Sequence, residues 1–228
     1  LSISMVLFSF TFFTGTMFAG GNLGVAFSIT DVLWIAVAGN LLLALYAAAL
    51  SWIAARSGLN TVLMGRFCFG EVGSKFAHFM LGFAELGWYS WGTATIAISL
   101  VKLLDLPQSL TIPLMVIFGI GFCLTALVGY KGLDVLSRVS VPLMFILIIV
   151  SMWIAGHHAG GWQGMTKIAA TTHMTWSAAI TMVFGTFASG ATQATNWTRL
   201  ARSSGSAISA RMISFLLGNG LLIVAGAW

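Results

Sequence analysis

The chain has 228 residues, of which 59% are hydrophobic and only 7% charged, and its mean hydropathy is +1.00. No water-soluble domain of this length needs so apolar a composition for its core, so the sequence reads as an integral membrane protein. The formal net charge of +5 calls for no nucleic-acid partner, and the two cysteines, Cys68 and Cys123, lack metal or redox spacing and exclude a disulfide framework.

About 20 consecutive apolar residues cross the hydrocarbon core as a helix. Spans are therefore expected near residues 2–27, 32–55, 76–103, 109–129, 135–156 and 174–199, with a seventh from about 210 onward. Short loops are expected between them, over residues 28–31, 56–75, 104–108, 130–134, 157–173 and 200–209. The apolar runs are continuous and do not alternate with a period of two, which argues for an all-α polytopic protein and against a β-barrel. Leu1 and Trp228 both stand inside apolar runs, and the expectation is a fragment of a longer polytopic chain.

Orientation follows from the basic residues. Arg56, Arg66, Lys75, Lys131, Arg138, Arg199, Arg202 and Arg211 fall on one side of this topology, and Lys102 and Lys167 on the other. By the positive-inside rule the first group is cytoplasmic, as is the N-terminal side of span one. Most of Trp34, Trp52, Trp153, Trp162 and Trp176 fall near span ends, as an interfacial belt requires. His78, His157, His158 and His173 are placed near span ends or in the long outer loop. Those depths do not suit haem ligation, which disfavours a membrane redox protein.

Span one is unusual for a lipid-facing helix. Thr11-Phe12-Phe13-Thr14-Gly15-Thr16-Met17-Phe18-Ala19-Gly20-Gly21-Asn22 mixes Gly, Thr and aromatics where a plain anchor would be Leu and Val. Such a stretch serves close helix packing through small residues, or a discontinuous helix whose freed carbonyls are met by Thr hydroxyls.

In span three, Gly82-Phe83-Ala84-Glu85-Leu86-Gly87-Trp88-Tyr89-Ser90-Trp91-Gly92 sets a carboxylate among large aromatics. A charge at the bilayer centre costs roughly 2.5–3.5 kcal/mol on insertion scales, so an intramembrane Glu marks a functional position. Glu85 and Trp88 are three residues apart and share a helix face, Trp91 continues that line, and Tyr89 points elsewhere. An aromatic wall beside a hydrogen-bonding group suits a planar polar heterocycle, with base stacking worth about 1–3 kcal/mol. The plainer reading is an interhelical hydrogen bond from Glu85 with Trp88 as packing.

Span six repeats the character of span one in Phe184-Gly185-Thr186-Phe187-Ala188-Ser189-Gly190-Ala191-Thr192-Gln193-Ala194-Thr195-Asn196. Two Gly-interrupted spans in corresponding positions of two halves point to a transporter site between inverted repeats. With five helices per repeat, spans one and six correspond. Residues 1–173 then form the first repeat with its long outer loop, and 174–228 open the second. Nothing in the sequence shows a selectivity-filter loop, so broken spans favour alternating access over a channel.

Several stretches carry a family resemblance over the whole chain. Thr11-Phe12-Phe13 with Met17 and Gly20-Gly21-Asn22-Leu23-Gly24, Gly39-Asn40-Leu41-Leu42-Leu43, Arg66-Phe67-Cys68-Phe69-Gly70, Gly87-Trp88, and Phe215-Leu216-Leu217-Gly218-Asn219 resemble the bacterial cytosine permeases of nucleobase:cation symporter family 1. The resemblance implies a LeuT-type inverted-repeat fold, with spans one and six discontinuous around a midplane site. It also implies a multi-pass protein of the bacterial inner membrane, monomeric, non-enzymatic and free of cofactors, which imports a nucleobase, cytosine first, by cation symport.

By the same resemblance the substrate ring stacks on Trp88, and Phe187 is the aromatic at the span-six break, flanked by Gly185, Thr186 and Ser189. Phe13 stands at the break of span one. A sodium site would use the backbone carbonyls of Ser9 and Phe12, with its other ligands on a span eight outside these residues; a proton is the alternative coupling ion. One departure bears on the substrate. Where the cytosine permeases carry an amide one turn before the Trp, this chain has Glu85, which offers only acceptors when ionised. A purine or another planar heterocycle of hydroxymethylpyrimidine, allantoin or hydantoin type is therefore the alternative substrate.

Overall fold

The computed structural model describes residues 10–127, 130–166, 170–201 and 203–228. Among them every regular element is helical, as backbone that cannot bond to lipid requires. In chain order the elements are α1 (Thr14–Gly24), α2 (Ile29–Ser57), α3 (Thr61–Leu103), a 3₁₀ turn (Gln108–Leu110) leading into α4 (Thr111–Leu127), α5 (Tyr130–His158) and α6 (Gly161–Met165). There follow α7 (Trp176–Gly185), α8 (Ala188–Thr192), α9 (Ala194–Thr198), α10 (Ser204–Ile213), a π-helical segment (Ser214–Asn219) and α11 (Gly220–Ala227). Among the described residues three stretches are long and apolar enough to cross a membrane: Ile29–Ser57, Arg138–His158 and Ser204–Ala227.

Three expected loops turn out largely helical. Residues 130–134 belong to α5, 204–209 to α10, and most of 56–75 to α3. The chain leaves the helical path after Ser57, where Gly58 caps α2 at φ 70° and donates its N–H to the Ala54 carbonyl. Arg66, Glu71 and Lys75 are good helix formers, and Lys75 pairs with Glu71 at 3.2 Å one turn away, so polarity there does not unwind the helix. The interruption inside α3 is Gly70, at φ 67° and ψ −173°. A side chain rarely adopts that φ, which gives the glycine of Arg66-Phe67-Cys68-Phe69-Gly70 a physical role. The long loop 157–173 contains the short helix α6.

The chain divides into two compact units, one formed by residues up to Met64 with Ser137–Trp228, the other by Gly65–Leu136. In the first, α2 is the central helix and contacts α7, α8, α9, α10 and α11. Ser28 opens α2: its hydroxyl accepts from the Asp31 N–H at 3.2 Å and donates to the Asp31 carboxylate at 2.7 Å. One core cluster gathers Leu23, Val32, Ile35, Val183 and Ile223, and a second Leu43, Phe187, Ala191, Ala194 and Phe215. Small residues bring the backbones close. A Cβ on Gly20 would fall on the Ile223 carbonyl, and one on Gly226 on the Met17 carbonyl, so α1 and α11 touch backbone to backbone.

In the second unit, the Tyr89 hydroxyl donates to the Gly119 carbonyl and lies 3.3 Å from the Cys123 sulfur, joining α3 to α4. His78, expected at a span end, lies within α3, and its Nδ1 hydrogen-bonds the Ser74 carbonyl at 2.6 Å.

Candidate functional site

Both sequence-predicted breaks are present in the first unit. Phe12 and Phe13 are non-helical, Phe13 is extended (φ −121°, ψ 130°), and α1 resumes at Thr14. Span one therefore combines both readings of its composition: a break at Phe12–Phe13 and close packing at Gly20. In span six, α7 ends at Gly185, Phe187 leaves helical geometry at φ −136°, and only short helices follow. Thr186 Oγ1 donates to the Val183 carbonyl at 2.7 Å, occupying an acceptor at the helix end.

The two breaks meet through aromatic rings. Phe187 is only 7% exposed, and its ring lies 6.1 Å from Phe13 in edge contact, 5.6 Å from Phe10 and 6.0 Å from Phe215. Glycines make the room: a Cβ on Gly190 would lie 2.8 Å from the Phe10 ring, and one on Gly15 2.9 Å from Cδ1 of Phe13. Gly185 faces the other way, exposed and with nothing within 4 Å of an added Cβ, while Ser189 is half-buried on the first turn of α8. Beside Phe12 and Phe13, an apolar recess of about 100 Å³ is lined by Thr14, Met17, Met144, Leu147, Ile148 and Leu222.

Behind the break lies a polar network of which the sequence assigned only Thr186 to the site. Asn219, fully buried at the end of the π-helical segment, donates from Nδ2 to Asn40 Oδ1 at 2.7 Å and to Thr186 Oγ1 at 3.1 Å. Its Oδ1 accepts from Thr16 Oγ1 at 2.8 Å, and Asn40 Nδ2 donates to the Ala36 carbonyl at 2.9 Å. One amide thus ties α1, α2 and the π-helical segment to Thr186 at the span-six break. A single-turn π-helix often marks a functional place in a helix. The available signal was an Asn inside each of two apolar runs, since a buried amide needs partners.

Glu85 and Trp88 belong to the second unit. The Trp88 ring is 37% exposed and stands 6.5 Å from Trp91 at 84°, so the expected shared face is present. Glu85 is half-buried, and its Oε1 is buried without a hydrogen-bond partner. The carboxyl group therefore retains acceptor capacity next to a partly open indole face. Tyr89 points away, to Gly119.

For a coupling cation, Phe12 sits in non-helical backbone, the kind that turns carbonyls towards Na⁺ in transporters of broken helices. Ser9 lies outside the described residues. Among the described residues no group of three or more His, Cys, Asp or Glu could hold a metal ion.

Residues 2–228 match the family described as permease for cytosine/purines, uracil, thiamine, allantoin. Over 227 residues the chain is 33% identical to the cytosine permeases of Escherichia coli O157:H7 and of Escherichia coli strain K12, covering 100% of this chain and 54% of each relative. It thus spans about half the length of the curated relatives it matches. Among solved structures it is similar to Mhp1, a nucleobase-cation-symport-1 family transporter in a closed conformation with bromovinylhydantoin bound. That match has a TM-score of 0.81 and 17% identity, and covers 99% of this chain and 51% of that one. The fold is therefore the expected LeuT-type one, and the chain is part of a multi-pass membrane protein.

Proposed function

The chain belongs to the family of permeases for cytosine and purines, uracil, thiamine and allantoin, nucleobase:cation symporter family 1, and from that premise we propose that it is the first half of a secondary active transporter importing a nucleobase. Cytosine is the first substrate in this reading, and a cation drives uptake by alternating access. The observation that carries it is the meeting of the two chain breaks, Phe13 against Phe187 at 6.1 Å. Two broken helices facing one point offer backbone groups and aromatic surface to a small ligand at the middle of the membrane.

In this reading Trp88 stacks on the ring of the base and Glu85 reads its edge. Phe187 and Phe13 are the aromatic residues of the breaks, with Gly185, Thr186 and Ser189 supplying backbone and hydroxyl contacts. Sodium binds at the carbonyls of Phe12 and Ser9, completed by ligands outside these residues. Residues 1–173 form one inverted repeat and 174–228 begin the next. The protein is a monomer in the bacterial inner membrane with the N-terminal side of span one in the cytoplasm.

A second substrate class is favoured by Glu85 itself. With Oε1 unpartnered, its carboxylate suits a heterocycle with two adjacent N–H donors better than it suits the edge that an amide would read. Uptake of radiolabelled cytosine by the full-length protein, with and without sodium and in competition with purines, hydantoins and allantoin, tests both. Trp88→Ala raises the apparent KM about 5-fold to 150-fold if the ring stacks. Unchanged uptake and KM in Trp88→Ala would refute the stacking role.

A further inference from the structure

Arg211 lies in α10, where the charge pattern of the sequence reads as a cytoplasmic topology signal. Its side chain is nonetheless withdrawn from water: it is 0% exposed and heads the largest fully buried side chains. Nη2 donates to the Ala194 carbonyl at 3.3 Å, and the guanidinium carbon stands 5.7 Å from the centroid of the Phe215 ring. Nε and Nη1 are buried with no hydrogen-bond partner. Phe215 in turn meets Phe187 at 6.0 Å, so the cation stands one ring behind the break of span six.

A guanidinium stays charged in a protein and cannot relieve burial by losing its proton. Taking it out of water costs more than one carbonyl bond and one ring face return. In native structures the large majority of buried side-chain donors have a partner. Lys75 pairs with Glu71 in the other unit, and Asp31, in the unit of Arg211, is bonded to Ser28. The group that offsets such a charge is an anion, and a carboxylate, the acidic group of protein side chains, matches a planar guanidinium with two parallel hydrogen bonds.

We propose that Arg211 is a carboxylate-binding position, the fixed cation of a buried ion pair beneath the span-six break whose acid comes from outside its own unit. The acid is either a side chain elsewhere in the full-length protein or a free small carboxylate. The inference rests on the geometry around Arg211 and not on the transport reading, so its readout is thermal melting.

The full-length protein is purified in detergent and melted as wild type, Arg211→Gln and Arg211→Lys, in sodium chloride and in sodium formate. Each Asp and Glu is changed singly to Asn or Gln and combined with Arg211→Gln. The expected result is a clear drop in melting temperature for Arg211→Gln, a smaller one for Arg211→Lys, and one acid whose neutralisation gives a similar drop that does not add to that of Arg211→Gln. If no acid behaves so but formate, and not chloride, raises the melting of the wild type and not of Arg211→Gln, the carboxylate is a free one. Should Arg211→Gln fail to express, Arg211→Lys carries the same comparisons. Equal melting of Arg211→Gln and wild type would overturn the proposal, as would additive losses for every acid together with equal effects of formate and chloride.

Discussion

Replacing Asn219 by Leu keeps the branched heavy-atom skeleton and removes three hydrogen bonds, to Asn40 (2.7 Å), Thr186 (3.1 Å) and Thr16 (2.8 Å). In soluble proteins each would be worth about 0.5–1.5 kcal/mol. Inside a membrane bundle the measured mean is nearer 0.6 kcal/mol, because the unfolded chain in lipid also finds partners. The membrane figure governs here, and three such bonds come to about 2 kcal/mol. On the scale of soluble domains of this size that is a fall in melting temperature of roughly 4–8 °C. Thermal unfolding of the purified full-length protein, followed by intrinsic fluorescence, reads it. Thr16→Val removes one of the three bonds and lowers melting by about a third as much. Combined with Asn219→Leu, it adds almost nothing, since its partner is already gone. A variant Asn219→Leu that melts with the wild type, or fully additive losses in the double variant, would refute the network as a load shared between α1, α2 and the span-six break.

Three further outcomes follow from named positions. Gly70→Ala forces a side chain into φ 67° and costs roughly 1–2 kcal/mol, with Gly70→Asn milder, as chemical unfolding of the two variants would record. Gly226→Leu drives a side chain into the Met17 carbonyl, so α1 and α11 separate and the yield of monodisperse protein on size-exclusion chromatography collapses, whereas Gly185→Ala, with open space around it, leaves that yield intact. Glu85→Gln restores an amide with both donor and acceptor; in competition assays it shifts preference towards cytosine relative to the other heterocycles, and an unchanged ranking would remove Glu85 from substrate reading.

The breaks in spans one and six were legible because glycine, threonine and aromatic residues displace leucine there, and those residue types change what the backbone can do locally. The shared face of Glu85, Trp88 and Trp91 was legible for the same reason, since a spacing of three holds on any helix. The helix through residues 61–75 was not. A window for membrane spans reads Arg66, Glu71 and Lys75 as loop, although their helix propensity is high. Nor did the sequence place Arg211, whose charge counts equally towards topology whether the side chain is in water or, as here, wholly buried.

What the sequence alone determined is membrane insertion, helical class and the places where helices give way, because each follows from composition over a few turns. What only the tertiary structure decided is which distant groups complete one another: Thr16 with Asn219 across 203 positions, Asn40 with Asn219 across 179, and Phe13 against Phe187. A hydrogen bond or a ring contact needs its partner within a few ångströms, and no local pattern of residues states which part of the chain will bring that partner there.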